Sequence, residues 1–279
     1  MRLDVSYDGT DFAGWAVQPG RRTVAGLLGD ALELVVRRPV PMVVAGRTDA
    51  GVHATGQVAH VDVPSDLLPG LTPRDRPAEE SAGLLGLLRR LSGLLPPDVR
   101  VRAVTAAPDG FDARFSALRR HYRYRVSTAE WGVDPLARAD VLAYRRPLDA
   151  ALMQRAAAAL TGLHDFAAYC RPRPGATTVR DLQRLDVVTG APDEVVLHVS
   201  ADAFCHSMVR ALVGALLAVG SGRAPVERPA ALLAAGLRTA EITVAPARGL
   251  TLVAVDYPAP DGLAARAAAT RAVRSPVGS

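Results

Sequence analysis

The residues of this chain best placed for chemistry are Arg47 and Asp49, two apart in Gly46-Arg47-Thr48-Asp49-Ala50-Gly51-Val52-His53-Ala54. In extended backbone, side chains at spacing two point the same way, so a guanidinium is set beside a carboxylate. Full burial raises a carboxylate pKa by roughly three to five units, and an adjacent arginine lowers it by about one to three. From a start of about 3.9, a buried aspartate alone is largely protonated at neutrality. Beside Arg47 it stays anionic, and a partly dry carboxylate is a nucleophile or a general base. The plainer reading of Arg-x-Asp is a surface ion pair in a turn, contributing about 0–1 kcal/mol. His53, close after Asp49, adds a metal-dependent nuclease as a weaker third reading.

Elements of regular period flank this loop. An apolar run, residues 41–45, precedes it, and residues 57–63 alternate apolar and polar as a half-buried strand does. Gly46 and Gly51 let the backbone between them turn tightly. Residues 2–7 alternate as a strand and end in the turn Tyr7-Asp8-Gly9-Thr10, followed by Phe12 and Trp15. Thr23 predicts a helix N-cap, and Val24, Leu27, Leu28, Ala31, Leu32 and Val35 trace the helical stripe behind it. A Pro/Gly-rich connection at 64–77, a helix over 78–95 and a strand over 99–104 complete a strand-helix-strand-strand-helix-strand order. That order is ferredoxin-like, with an antiparallel sheet carrying its helices on one face.

Further along, five arginines fall between 114 and 125 and interleave with aromatic residues. A strand there sets Tyr122, Tyr124 and Val126 on one face and His121, Arg123 and Arg125 on the other. Such a strand offers rings to stack a base and charges for phosphates; it is also what an amphipathic strand with its tyrosines in the core looks like. An alanine-rich helix over 149–160 ends at Gly162. His164-Asp165 reads as a structural neighbour pair. Arg171, Arg173 and Arg180 suit phosphate as well as they suit an ordinary surface loop. Strands over 179–188 and 194–201 follow, then a helix opening within 204–214 with a stripe of Val209, Leu212, Val213, Leu216 and Leu217. Arg210 at the edge of that stripe is too costly to bury unpaired and calls for a carboxylate. A short helix over 225–237 and a strand ending at Tyr257 come last, and residues from 258 on read as disordered.

Composition narrows the chemistry. The chain has 279 residues, 49% of them hydrophobic, enough for a sizeable core and two subdomains. It shows no apolar run of membrane-span length and no apolar signal core near Met1, so a soluble, cytoplasmic protein is expected. Cys170 and Cys205, without metal-ligand spacing, are expected to be reduced thiols and not a zinc site. Lysine is absent, so all 33 basic residues are arginines, against 28 acidic ones. That excludes a phosphate-loop lysine, a Schiff-base lysine and a kinase lysine. A net charge of +5 and a pI near 9.7 fit a phosphate-rich partner, although composition bias from a GC-rich genome yields the same excess.

The nonapeptide 46–54 closely resembles the signature loop of the tRNA pseudouridine synthase A family, in which the aspartate is the catalytic residue; that position is Asp49. The opening Tyr7-Asp8-Gly9-Thr10, Gly14-Trp15 and Thr23-Val24 is similar to the family's as well, with Ala16 and Ala25 where relatives often carry glutamine. The family's strand tyrosine that contacts the target base falls on Tyr122. Its arginine close to the aspartate falls on Arg210, where relatives usually show His-Met-Val-Arg-Asn and this chain has Ser207 and Ala211. The resemblance runs from about residue 2 to 258. It implies an α+β fold of two ferredoxin-like, RRM-like subdomains forming one continuous antiparallel sheet flanked by helices. Subdomains at 1–107 and 108–258 are expected, with a disordered tail at 259–279. It further implies a homodimer acting on tRNA, isomerising uridine to pseudouridine at positions 38 to 40 of the anticodon stem-loop, with no metal or organic cofactor. The expected site combines Asp49, Arg47 and Arg210 for catalysis with Tyr122, Arg123 and Arg180 for substrate. A paired RNA-binding module without chemistry is the competing reading, but it gives Asp49 no purpose, since a carboxylate repels phosphate.

Overall fold

A computed structural model describes residues 1–77, 79–173, 177–240 and 242–272. They form two compact units: Met1–Leu118 together with Val253–Ala272, and Arg119–Leu252.

The first unit begins β1 (Arg2–Tyr7), α1 (Val24–Val36), β2 (Met42–Val44), β3 (His53–Val61), α2 (Leu68–Leu71), α3 (Glu80–Leu94) and β4 (Val99–Thr105). Its strand order is β4-β1-β3, with β2 on the far side of β3, all antiparallel. Leu3 pairs with both Ala59 and Val104, and alternation along β1 buries Leu3, Val5 and Tyr7. Thr23 is the cap its sequence position predicts: its side chain accepts the Gly26 amide hydrogen at 3.2 Å. Within the expected Pro/Gly connection lies the short α2, whose Leu68 and Leu71 are buried.

The second unit comprises β5 (Arg119–Ser127), β6 (Leu142–Ala143), α4 (Ala150–Ala158), β7 (Gly162–Asp165), β8 (Val179–Thr189), β9 (Glu194–Ala201), α5 (Met208–Gly220), α6 (Arg228–Ala235) and the start of β10 (Leu250–Asp256). Strand order here is β10-β5-β9-β8-β7, with β6 added in parallel to β5. With β6 and β7 set aside, β5-α4-β8-β9-α5-β10 repeats the order of the first unit, and its strands lie 4-1-3-2 as β4-β1-β3-β2 do. No sequence repeat announces this duplication. Residues Val253–Asp256 of β10 belong to the first unit, and each unit is of the α+β class expected. Apolar residues surround most of α5, which is buried almost all round.

Three expectations meet a different outcome. The first unit extends to Leu118 and not to 107, because residues 111–117 pack on it: Ala113 is buried with Ala45 and Val58, against Phe111, Val255 and Tyr257. The tail is ordered through most of its length. Residues 263–271 form α7 (Leu263–Arg271), which buries Leu263 and Ala267; its Leu263 carbonyl accepts the Ser116 hydroxyl at 3.2 Å and Arg271 pairs with Asp112 at 2.8 Å. Alternating alanine and arginine hid a helix that needs only two apolar contacts. Residues 273–279 lie outside the described residues.

The third correction concerns the cysteines. Cys170 and Cys205 form a disulfide within the second unit, their Cα atoms 5.6 Å apart across 35 residues of sequence. Cys170 follows the 3-10 turn Ala167–Tyr169, Cys205 lies in the segment entering α5, and the Arg171 amide donates to the His206 carbonyl at 2.9 Å beside them. Only the tertiary path joins them, so spacing gave no sign. Closing a loop of this size restricts the unfolded chain by about 3–4 kcal/mol. Denaturation of the second unit under reducing conditions should show a loss of that order. The paired variant Cys170→Ser with Cys205→Ser should match the reduced protein and be indifferent to reductant.

Candidate active site

The loop between β2 and β3 alternates as a strand would. Arg47 is exposed, Thr48 is 6% exposed and Asp49 is half-buried, so Arg47 and Asp49 face outward on either side of an anchored threonine. Among the described residues Arg47 makes no ion pair with Asp49, in contrast to the expected contact. An exposed guanidinium gains little from such a pair. Gly51 takes a left-handed φ of 76°, and the Val52 amide closes the turn on the Asp49 carbonyl at 3.2 Å. The Phe12–Trp15 segment clamps the loop from the side. The Trp15 amide donates to the Thr48 carbonyl at 3.1 Å and the Gly51 amide to the Phe12 carbonyl at 3.2 Å. Gly14, at φ 98°, passes so close that a Cβ would sit 2.8 Å from the Thr48 carbonyl oxygen.

His53 turns away from this carboxylate. It is 5% exposed, and its Nδ1 accepts the Gly9 amide hydrogen at 3.0 Å with an Asp8 carboxylate oxygen 3.1 Å away. The nuclease reading drew on Asp49 with His53, and His53 is committed to the turn after β1. Among the described residues, no group of three His, Cys, Asp or Glu side chains could hold a metal ion. Burial alone would raise the Asp8 pKa; the hydroxyl and amide of Thr10, together with His53, outweigh it and hold Asp8 below the usual carboxylate value.

In the second unit, β5 presents the two faces predicted. Tyr122, Tyr124 and Val126 are buried, while His121, Arg123 and Arg125 are half-exposed on the reverse. Tyr122 meets Phe204 edge to face, centroids 5.2 Å apart at 89°. In sequence Phe204 merely leads into α5, and nothing in its spacing marks it as the wall behind Tyr122. Arg210, in the first turn of α5, donates from Nε to the Ala245 carbonyl at 2.7 Å, and the Ala245 amide returns a bond to the Arg210 carbonyl at 3.0 Å. A backbone oxygen thus takes the Nε hydrogen of Arg210. Ser207, preceding the helix, takes a φ of 64°. Burial pushes the Tyr124 hydroxyl well above its ordinary pKa, the nearby Arg210 charge opposing, and its proton goes to the Pro246 carbonyl at 2.9 Å.

The other arginines stand elsewhere. Arg123 lies 3.6 Å from Asp140, which also pairs with Arg125 at 3.0 Å, on the face of β5 opposite Tyr122. Arg180 folds back on its own backbone, donating to the Val179 and Thr177 carbonyls at 2.5 and 2.6 Å. His164 bonds the Thr161 carbonyl at 2.9 Å and Asp165 accepts the Ala167 amide at 3.0 Å, the structural roles expected. Of the 171–175 loop, Pro174 and Gly175 lie outside the described residues.

The comparisons with known proteins place the chain in an RNA-modifying class of enzyme. The family model described as tRNA pseudouridine synthase matches residues 156–258. Three relatives, each called tRNA pseudouridine synthase A, extend the likeness over the whole chain. The protein of Frankia casuarinae is 59% identical over 99% of this chain and 96% of its own. That of Mycobacterium leprae is 56% identical, with 99% and 95% covered. That of Streptomyces griseus is 54% identical, with 99% and 94% covered. The chain belongs to the tRNA pseudouridine synthase A family.

Because Asp8 is held below its ordinary value near 3.8, it binds a proton less readily folded than unfolded. Its stabilisation is present above that value and is lost as pH falls through the lower folded value. Thermal midpoints of the protein and of Asp8→Asn, measured from pH 6 downward, should converge as the medium becomes more acid than pH 3.8. A constant gap between the curves would refute the assignment.

Proposed function

We propose that the chain isomerises uridine to pseudouridine in tRNA, in the anticodon stem-loop at positions 38 to 40, with Asp49 as nucleophile and no cofactor. The observation that carries this is the presentation of Asp49: an outward, half-buried carboxylate on a backbone clamped at Thr48, Gly51 and Val52. Near-full-length identity to proteins called tRNA pseudouridine synthase A supports the substrate. The bond between N1 of uracil and C1′ of ribose breaks, the base turns, and C5 rejoins C1′; the C5 hydrogen leaves as a proton and N1 gains one. Asp49 attacks C1′ of the sugar or C6 of the base. A single carboxylate suffices, because the departing uracil anion is resonance-stabilised and stays bound, whereas a glycosidase must also protonate an alkoxide and deliver water.

Other groups have assigned parts. Tyr122 contacts the base, its ring held by Phe204, and offsets the few kcal/mol, roughly, that a flipped nucleotide costs. Arg47 is solvated and presented on the same side as Asp49, which suits it to phosphate. Arg210 belongs to the reaction centre by its match to the family. Arg123 and Arg180 serve the RNA backbone, although each now has an internal partner that binding must exchange. The protein works as a cytoplasmic homodimer; among the described residues, no helix is long and apolar enough to cross a membrane.

The RNA-binding module without chemistry is separated from this reading by one substitution. Asp49→Ala should retain tRNA binding and lose tritium release from tRNA labelled at uracil C5 to below detection. Release by the Asp49→Ala protein, or none by the unsubstituted protein, would overturn the proposal.

A further inference from the structure

The side of the Asp49 loop that faces the protein is held by polar groups that the reaction leaves unused. Gln57 on β3 is fully buried, Tyr7 at the end of β1 is 5% exposed and Thr48 is 6% exposed. The Gln57 Nε2 donates to the Gly46 carbonyl at 2.8 Å and to the Tyr7 hydroxyl oxygen at 3.3 Å, while its Oε1 accepts the Val58 amide at 3.2 Å. Tyr7 Oη lies 2.7 Å from Thr48 Oγ1. These partners fix the direction of every hydrogen. A carbonyl only accepts, so the amide nitrogen and not the oxygen faces Gly46. Both amide hydrogens are then spent, and the Tyr7 oxygen receives one of them. Tyr7 must send its own proton to Thr48, whose hydroxyl is left to donate away from Tyr7.

We infer that Gln57, Tyr7 and Thr48 are positioning residues for Asp49, a directed chain of hydrogen bonds that pins the loop at Gly46 and Thr48 and so fixes the outward aim of the carboxylate between Thr48 and the Gly51 turn. The inference rests on Asp49 being the reacting group. Two anchors on one short loop explain the choice of polar residues here: apolar side chains of similar size would fill the space without holding the Gly46 carbonyl or the Thr48 side chain. Every member is neutral, and burial pushes the Tyr7 hydroxyl up to about 12, so the chain keeps its direction across the neutral range. Pinning matters because a displacement of about 1 Å in a reacting group costs on the order of 100-fold in rate.

Four variants test this, each read by single-turnover tritium release, tRNA affinity and thermal midpoint. Tyr7→Phe keeps the ring and removes the link to Thr48. It should lower the single-turnover rate about 10- to 100-fold with tRNA affinity unchanged. Thr48→Val should do the same, and Thr48→Ser should restore most of the loss. Gln57→Glu is the sharpest probe. An ionised glutamate sets an acceptor against the Gly46 carbonyl, and only the protonated acid can donate to it, so this variant should gain rate relative to the parent as pH falls from 8 to 6. A merely structural role would lower the midpoint without creating a new pH dependence. Asp49→Ala is run in parallel: if it still releases tritium, the reading of the site fails first. If Asp49→Ala is dead while Thr48→Val matches the parent and Gln57→Glu follows the parent's pH profile, the positioning inference alone is wrong. Should Tyr7→Phe fail to fold, the Thr48 pair and Gln57→Glu decide the matter.

Discussion

An uncharged amide buried in a sheet must find partners for two hydrogens and an oxygen or lose several kcal/mol of solvation, roughly. Gln57 meets that demand with a loop carbonyl, a tyrosine oxygen and the Val58 amide. The outward geometry of the 45–52 loop depends on this constraint. The pairing of β1 with β3 sets Val5 opposite Gln57 and brings Tyr7 within reach of it. Tyr7 then holds Thr48, the residue between the two outward-facing charges. What anchors the loop is neutral and buried; what lies on its other side is charged and at least partly solvated. The division lets a carboxylate be presented without the protein having to bury it fully.

Electrostatic economy of this kind recurs in a chain that has no lysine. Arginine cannot be neutralised within proteins, so each one must be solvated or given acceptors. Arg22 forms a two-pronged pair with Asp98 at 2.7 and 2.9 Å over the Phe12 ring. Arg125 is shared by Glu194 and Asp140. The backbone also serves as acceptor, as it does for Arg180 and for Nε of Arg210. Excess positive charge in the composition is thus partly consumed inside the molecule, and a sequence count overstates what is offered to RNA.

Much of the architecture was legible because it rests on local rules. Alternation along β1 and β5, the Thr23 cap and the apolar stripe of α5 follow from side-chain direction and capping chemistry, and each lies where residue types put it. The outward spacing of Arg47 and Asp49 follows from the same alternation. Features that depend on tertiary approach were not legible. Phe204 behind Tyr122, Gly14 against the Thr48 carbonyl and Cys170 beside Cys205 join residues far apart in sequence, and no periodicity carries that information. Composition also misled in one place: alanine and arginine beyond Pro258 read as a solvated tail, whereas Leu263 and Ala267 are enough to seat a helix. The bond from Arg210 Nε to the Ala245 carbonyl belongs with these tertiary features, since a main-chain acceptor leaves no trace in residue type.

The covalent bond between Cys170 and Cys205 makes the strands β8 and β9 part of a closed ring of chain. The tip joining them, Gly190 to Asp193, is exposed, the kind of segment where proteases cut. A cut there opens the ring without parting the molecule: the two pieces stay tethered through sulfur and travel together until a thiol releases them. Clipped material would therefore pass as intact wherever the cross-link survives, and its age or handling would be visible only after reduction.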